Sequence, residues 1–134
     1  MKIVYPAVFY PLANQPGFAV EVPDLPGCVT QGSDMVNAIE MAIDAASGWV
    51  LDELEDGNAA PSATAAKDIV PNKSDGIVSL LMLDMDSYTE KHGNKAVRKN
   101  TTIPAWLATI ADKRNVNYSQ SLQKILIQDL QLSQ

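Results

Sequence analysis

Apolar and polar residues alternate in two distinct rhythms along this chain, and the change of rhythm marks its elements. Lys2 to Tyr10 is rich in Val, Ile, Tyr and Phe and reads as a strand, with Pro6 arguing for an edge position or a break. Asn14-Gln15-Pro16-Gly17 is a turn signal, and Phe18-Ala19-Val20-Glu21-Val22 then alternates with Phe18, Val20 and Val22 inward. The two strands therefore read as a hairpin. Pro23 to Gly27 is irregular, and Cys28-Val29-Thr30-Gln31 is a third short strand ended by Gly32.

The period then switches to that of a helix. Ser33 is the predicted cap, with Asp34 in the first turn. Met35, Val36, Ile39, Ala42, Ile43, Ala46, Trp49, Val50 and Leu54 form one stripe to about Asp56, and Gly57 stops it. This stripe needs a sheet face for cover. Glu40, Asp44, Asp52, Glu53, Glu55 and Asp56 lie mostly off it, as a solvated face or a surface for a basic partner. Residues 58–67 read as a loop. Ile77 to Leu83 is apolar on both faces, so it is expected as a central strand covered on both sides. A helical turn over Asp86 to His92 and a hinge at Gly93-Asn94 complete the first part, giving domains of residues 1–92 and 93–134.

The last third has a rhythm of its own. Val97 to Ile103 is a short strand candidate that runs into Pro104, which suits a first helical turn. Amphipathic segments follow from about Pro104 to Asn115 and from about Ser119 to Leu132. Trp106, Leu107, Ile110 and Ala111 are at helical spacing in the first; Leu122, Ile125, Leu126 and Leu130 form the stripe of the second. Asn115 is the predicted left-handed stop and Ser119 the predicted cap. So short a segment builds too small a core alone and needs a partner, which strand pairing across a two-fold axis supplies. This pattern is that of a ribbon-helix-helix unit, which sets a two-stranded ribbon from two chains into the DNA major groove.

Strand alternation puts Arg98, Asn100 and Thr102 on one face and Lys99, Thr101 and Ile103 on the other. The first set has the side-chain types that read bases: Arg suits guanine, Asn suits adenine, and Thr bonds a base edge or touches a thymine methyl. The predicted base contacts are therefore Arg98, Asn100 and Thr102. Lys99, Asn117, Ser119, Gln120 and Ser121 are the predicted phosphate contacts, because free N–H groups at a helix start attract anions. The bland alternative is a β-α-α piece of a larger core.

Charge sharpens the division. The formal net charge is −6, yet residues 1–93 carry −10 and residues 94–134 carry +4. The basic end suits a phosphate backbone and the acidic end a basic protein. For the acidic end the candidate contacts are Glu21 and Asp24, beside the Pro-rich stretch, with Glu40 and Asp44 on the helix.

Enzyme chemistry finds little support. His92 is the single histidine and Cys28 the single cysteine, which leaves no evident nucleophile–base pair and no zinc set. Asp84 and Asp86 have a D-x-D spacing but sit at a strand end, where acids are usually turn residues. No Gly-rich phosphate loop is present, and no cofactor or metal is expected. One cysteine, no signal-peptide pattern and no long apolar run point to a cytoplasmic protein away from membranes.

These residues resemble the HicB family of antitoxins, from type II toxin–antitoxin systems. The resemblance rests on the strand at Tyr5–Tyr10, the run Phe18-Ala19-Val20-Glu21-Val22-Pro23-Asp24-Leu25-Pro26-Gly27-Cys28, Thr30 with Gly32, and the helix after them. In the tail it rests on Arg98, Asn100, Thr102, Ile103, Pro104, Trp106 and Leu107, then Asn117, Ser119 and Leu122. It implies an α+β fold: a partial ribonuclease-H-like domain without catalytic acids, then a ribbon-helix-helix domain. It also implies a homodimer through the 97–103 strand and following helices, capture of a small basic HicA-type toxin that cleaves mRNA, and repression of the operon through operator DNA. Lys99 and Thr101 depart from the family, whose ribbons prefer apolar residues there, as does Asn115, where Gly is common. A transcriptional regulator with a small-molecule-sensing N-terminal domain is the alternative.

Overall fold

A computed structural model describes residues 1–93, 96 and 98–131, and divides the chain into two compact units, Met1–Gly93 and Asn94–Gln134. The first unit is a four-stranded antiparallel sheet in the order β3-β2-β1-β4, with a long helix on one face. Its strands are β1 (Lys2–Pro11), β2 (Phe18–Glu21), β3 (Val29–Gly32) and β4 (Ile77–Asp84). Its helices are α1 (Met35–Glu55) and α2 (Met85–His92), with a 3-10 turn at Ala66–Asp68 in the long connection to β4.

Alternation decides what is buried. Tyr5, Ala7 and Phe9 of β1, Val20 of β2, and Leu81 and Leu83 of β4 point to one face and form the core under α1. Ala38, Ala42, Ala46 and Val50 of α1 meet them. This row of small residues, one turn apart, lets the helix lie close to the sheet. The expected stripe mostly holds, but Val36 is 68% exposed, while Ser47 and Leu51 are buried beside it.

Two expectations about strands need correction. Pro6 lies inside β1, which is an interior strand and not an edge. The exception is tolerated because the β1–β2 ladder begins only at Val8, so at Pro6 the strand has β4 on one side alone. Ile77–Leu83 is at the edge of the sheet and not its centre. Leu81 and Leu83 are buried, but Leu80 and Met82 on the other face are each 58% exposed. Two apolar faces in a sequence need not mean two covers.

The cap of α1 is Asp34 and not Ser33: its carboxylate accepts from the Asn37 N–H at 2.7 Å. Asn37 returns the bond by accepting from the Ser33 N–H at 2.9 Å, a reciprocal arrangement that closes the helix entry. Gly57, at φ +84°, follows the helix as expected.

The Pro-rich stretch between β2 and β3 is a tight turn. Val22 and Cys28 close it, Leu25 is buried at its centre, and the Trp49 indole N–H of α1 donates to the Pro26 carbonyl at 3.0 Å. The other face of the sheet is partly roofed by the segment before β4. There the Asn72 N–H donates to the Tyr10 hydroxyl at 2.9 Å, and Gly76 sits against Pro71, Tyr10 and Val8.

The second unit holds two helices, α3 (Ala105–Lys113) and α4 (Tyr118–Asp129). Pro104 is the residue before α3, and Asn115 takes the left-handed conformation at φ 54° between the helices, as its position suggested.

Candidate functional site

The tail holds the candidate nucleic-acid interface. The strand expected over 97–103 is not formed within the chain: residues 98–104 have no regular secondary structure, and Val97 lies outside the described residues. A strand exists as a ladder, and among the described residues no other strand of this unit is available to make one. Arg98, Lys99, Asn100, Thr101 and Thr102 are all exposed. A groove of about 680 Å³ runs between this segment and α4, lined by Ala96, Arg98, Lys99, Ser119, Leu122, Gln123 and Leu126. It brings Arg98, Lys99 and Ser119 together, but not Asn100, Thr102 or Asn117. Arg98 and Lys99 share the groove although strand alternation would part them, since the pleat is imposed only by pairing.

The start of α4 also differs from expectation. Asn117 is the cap and Ser119 is not: the Asn117 side chain accepts from the Gln120 N–H at 3.1 Å and its carbonyl accepts from the Ser121 N–H at 3.0 Å. Gln120 and Ser121 therefore have no free backbone N–H to offer an anion. The donors left at this helix start are those of Tyr118 and Ser119.

Sequence reasoning missed Tyr118. Its hydroxyl donates to Asp112, with the Ala108 carbonyl a second acceptor at 3.4 Å, and so ties α4 to the end of α3. The hydrogen bond to Asp112, ahead of burial, raises the phenol above its ordinary pKa. Only the six-residue spacing from Asp112 hints at this in sequence.

What the tail lacks is an interior. None of its described residues is buried, and Trp106, Leu107, Ile110, Leu122, Ile125, Leu126 and Leu130 are all exposed. Their helical spacing gives each helix an apolar face that this chain leaves open.

In the first unit the four candidate toxin contacts do not form one cluster. Glu21 pairs with Val8 across the β-ladder, on the face opposite α1. Glu40 and Asp44 are exposed one turn apart on α1. Tyr88 of α2 lies against Gly48 on the same row, and burial first, then Asp44 and Asp52, raises its phenol pKa.

Asp24 has a structural task. One carboxylate oxygen accepts from the Thr64 N–H at 2.9 Å and the other from the Thr64 hydroxyl at 2.6 Å, pinning the long connection to the β2–β3 turn. Tyr5 adds a second pin, donating to the Pro61 carbonyl at 2.6 Å; burial, then Asp24, raises its pKa. Asp24→Ala is therefore expected to cost about 1–3 kcal/mol of stability, read by denaturant unfolding. A change confined to partner binding would contradict that role.

The remaining polar candidates are also engaged. Asp84 caps α2 by accepting from the Ser87 N–H at 3.2 Å, and Asp86 pairs with the terminal amine of Met1. The D-x-D acids are thus end-of-strand structure. His92 stacks on Tyr88 with ring centroids 4.4 Å apart. Cys28 is buried, and burial pushes its thiol pKa up, away from reactivity. Among the described residues no group of three or more His, Cys, Asp or Glu is placed to hold a metal, and no helix is long and apolar enough to cross a membrane.

Known proteins share this arrangement. The family model for the HicB-like antitoxin of bacterial toxin–antitoxin systems matches residues 5–128. An uncharacterised 14.9 kDa protein from the rep-hol intergenic region of Haemophilus phage HP1 is 31% identical over 93 residues, which is 68% of this chain and 67% of that protein. Among solved structures, a chain of the toxin–antitoxin complex from Streptococcus pneumoniae matches with a TM-score of 0.60 and 22% identity, over 96% of this chain and 99% of that one. The antitoxin HicB of Burkholderia pseudomallei matches at 0.56 and 20% identity, over 96% and 98%. At such identities the structural likeness speaks for the fold, an antiparallel sheet with four helices, while the family match spans nearly the whole chain. The chain belongs to the HicB-like antitoxin family of bacterial toxin–antitoxin systems.

Proposed function

We propose that the two units do two jobs: the first captures a small basic HicA-type toxin, and the second represses the operon by binding operator DNA as a ribbon-helix-helix dimer. The observation that carries this reading is the open tail. A unit with two amphipathic helices and no buried residue among those described lacks a core of its own, and a second copy supplies one. Two 97–103 segments then pair antiparallel across the two-fold axis, and the pleat this imposes turns Arg98, Asn100 and Thr102 together toward the major groove. Lys99 and the N–H groups of Tyr118 and Ser119 hold phosphates, with the side chains of Asn117, Gln120 and Ser121 beside them.

The charge change supports the same division. The boundary between units at Gly93 is also where a net charge of −10 gives way to +4. An acidic partially ribonuclease-H-like domain attracts a basic toxin and occludes its RNA-binding surface, with association that is fast and salt-sensitive. Glu40 and Asp44 on the open side of α1 suit this role; Asp24 suits it less, because Thr64 occupies its carboxylate.

Gel-shift titration with the operon's own promoter tests the repressor half. Arg98→Ala or Asn100→Ala is expected to weaken binding by about 1–3 kcal/mol per contact and to relax one base position in each half-site. Lys99→Ala should instead lower affinity evenly across sequences and flatten the salt dependence. Unchanged affinity and base preference in both Arg98 and Asn100 variants would sink the assignment. For the toxin half, residues 1–93 should co-purify with the toxin encoded beside this gene, and residues 94–134 should not.

A further inference from the structure

Residues 94–134 hold only two acids, Asp112 and Asp129, among six Lys and Arg. Asp112 is placed at a local cost. It lies in the last turn of α3, where the helix dipole disfavours a carboxylate, and in the unit proposed to meet DNA phosphate, where another negative charge repels. What its carboxylate gains there is the Tyr118 hydroxyl, which donates to it. Among the described residues, no other residue's side chain makes a hydrogen bond between α3 and α4. The backbone bonds of the turn stop at the Val116 N–H, which donates to the Ala111 carbonyl. Ridges packed into grooves are what usually fix the angle between two helices. No described residue of this unit is buried, so within one chain the Tyr118 bond carries that task.

Tyr118 is also the first residue of α4, and its N–H is one of the two donors left free there. The other belongs to Ser119, which lines the groove with Arg98 and Lys99. A single aromatic ring with two rotatable bonds thus joins these donors to the end of α3. We infer that Tyr118 is a positioning residue for operator binding: anchored on Asp112, it holds the start of α4 so that its N–H groups, Arg98 and Lys99 meet one stretch of phosphate backbone. The inference rests on the operator reading above. Phosphate contacts orient a protein on the duplex and carry no sequence information, so Tyr118 sets affinity and leaves base preference alone.

The test is a gel-shift titration of the full chain on the operon's own promoter, at several salt concentrations. Tyr118→Phe keeps the ring and removes the hydroxyl. It should keep the wild-type mass in light scattering and the wild-type base preference, yet bind about tenfold more weakly. Its slope of log affinity against log salt should flatten by about 0.9 for each copy's lost phosphate contact. A second pair of variants isolates the bond. Asp112→Asn keeps an acceptor oxygen and Asp112→Ala does not, while both remove the same charge. Asp112→Asn should therefore bind about tenfold tighter than Asp112→Ala, and the two should bind alike in a Tyr118→Phe background. Wild-type affinity or an unchanged salt slope in Tyr118→Phe would overturn the inference. So would a fall in mass, which would make Tyr118 a dimer contact, or a difference between the Asp112 variants that survives Tyr118→Phe. Failure of the operator reading gives a different result: the wild-type chain itself would not bind the promoter, and the inference would fall with it.

Discussion

Leu126→Glu is expected to leave the full chain monomeric and without measurable hold on its operator, while residues 1–93 stay folded. Leu126 is 47% exposed in the single chain, on the stripe it shares with Leu122 and Ile125. In the proposed dimer this stripe meets the partner helices, and symmetry places the change twice. A carboxylate forced into an apolar contact without a partner is charged several kcal/mol for lost hydration. Even about 4 kcal/mol in total raises the dimer's Kd about a thousandfold. Since one copy provides only half of a ribbon, base reading is lost with the dimer. Light scattering gives the mass, and the unfolding transition of the first unit, whose core of Tyr5, Phe9, Leu81 and Leu83 is untouched, reports its integrity. Ile110→Glu, on α3 and 42% exposed, should behave alike. If both variants keep the wild-type mass, the apolar faces are not a dimer interface and the ribbon reading goes with them.

How much of this was legible in the residues depends on distance along the chain. The end of α1 at Gly57, the left-handed Asn115 and the Pro104 entry to α3 are local, and each followed from the conformational limits of one residue type. The caps were harder. Ser33 stands next to Asp34, and Ser119 two residues after Asn117; all are good caps, so rank alone does not choose between them. In both helices the Asx side chain took the N–H, at Asn37 and at Gln120. The place of β4 was misread because alternation reports which residues share a face and not what lies above it. The bond between Asp24 and Thr64 was not visible in the sequence because the two are 40 residues apart and no period links them. The tail shows the converse. Its apolar faces were visible in sequence, and the single chain leaves them open; under the proposed function a second copy covers them.

Gly32→Ala should be among the most damaging single-methyl additions available to the first unit. Gly32 ends β3, and a Cβ there would come 2.3 Å from the Ala38 nitrogen, 2.4 Å from the Ala38 Cα and 2.8 Å from the Asn37 carbonyl carbon. All three are backbone atoms of the first turn of α1, so no rotamer change makes room. The helix has to move off β3, which opens the row of Ala38, Ala42 and Ala46 against the sheet and disturbs the Asp34–Asn37 cap. The cost should reach or exceed the top of the usual overpacking range, about 3 kcal/mol, and in a unit of this size that lowers Tm by roughly 12 °C or more. Gly57→Ala separates this cause from backbone strain. Gly57 has φ +84° with nothing within 4 Å of a Cβ, so the change there meets only the left-handed penalty of about 1–2 kcal/mol. Thermal unfolding of the two variants should therefore rank Gly32→Ala well below Gly57→Ala; the reverse order would mean that α1 yields more easily than its packing implies. Because the tail is a separate unit, Gly32→Ala should also weaken toxin capture while operator binding persists, a split that a protein with a single shared core would not show.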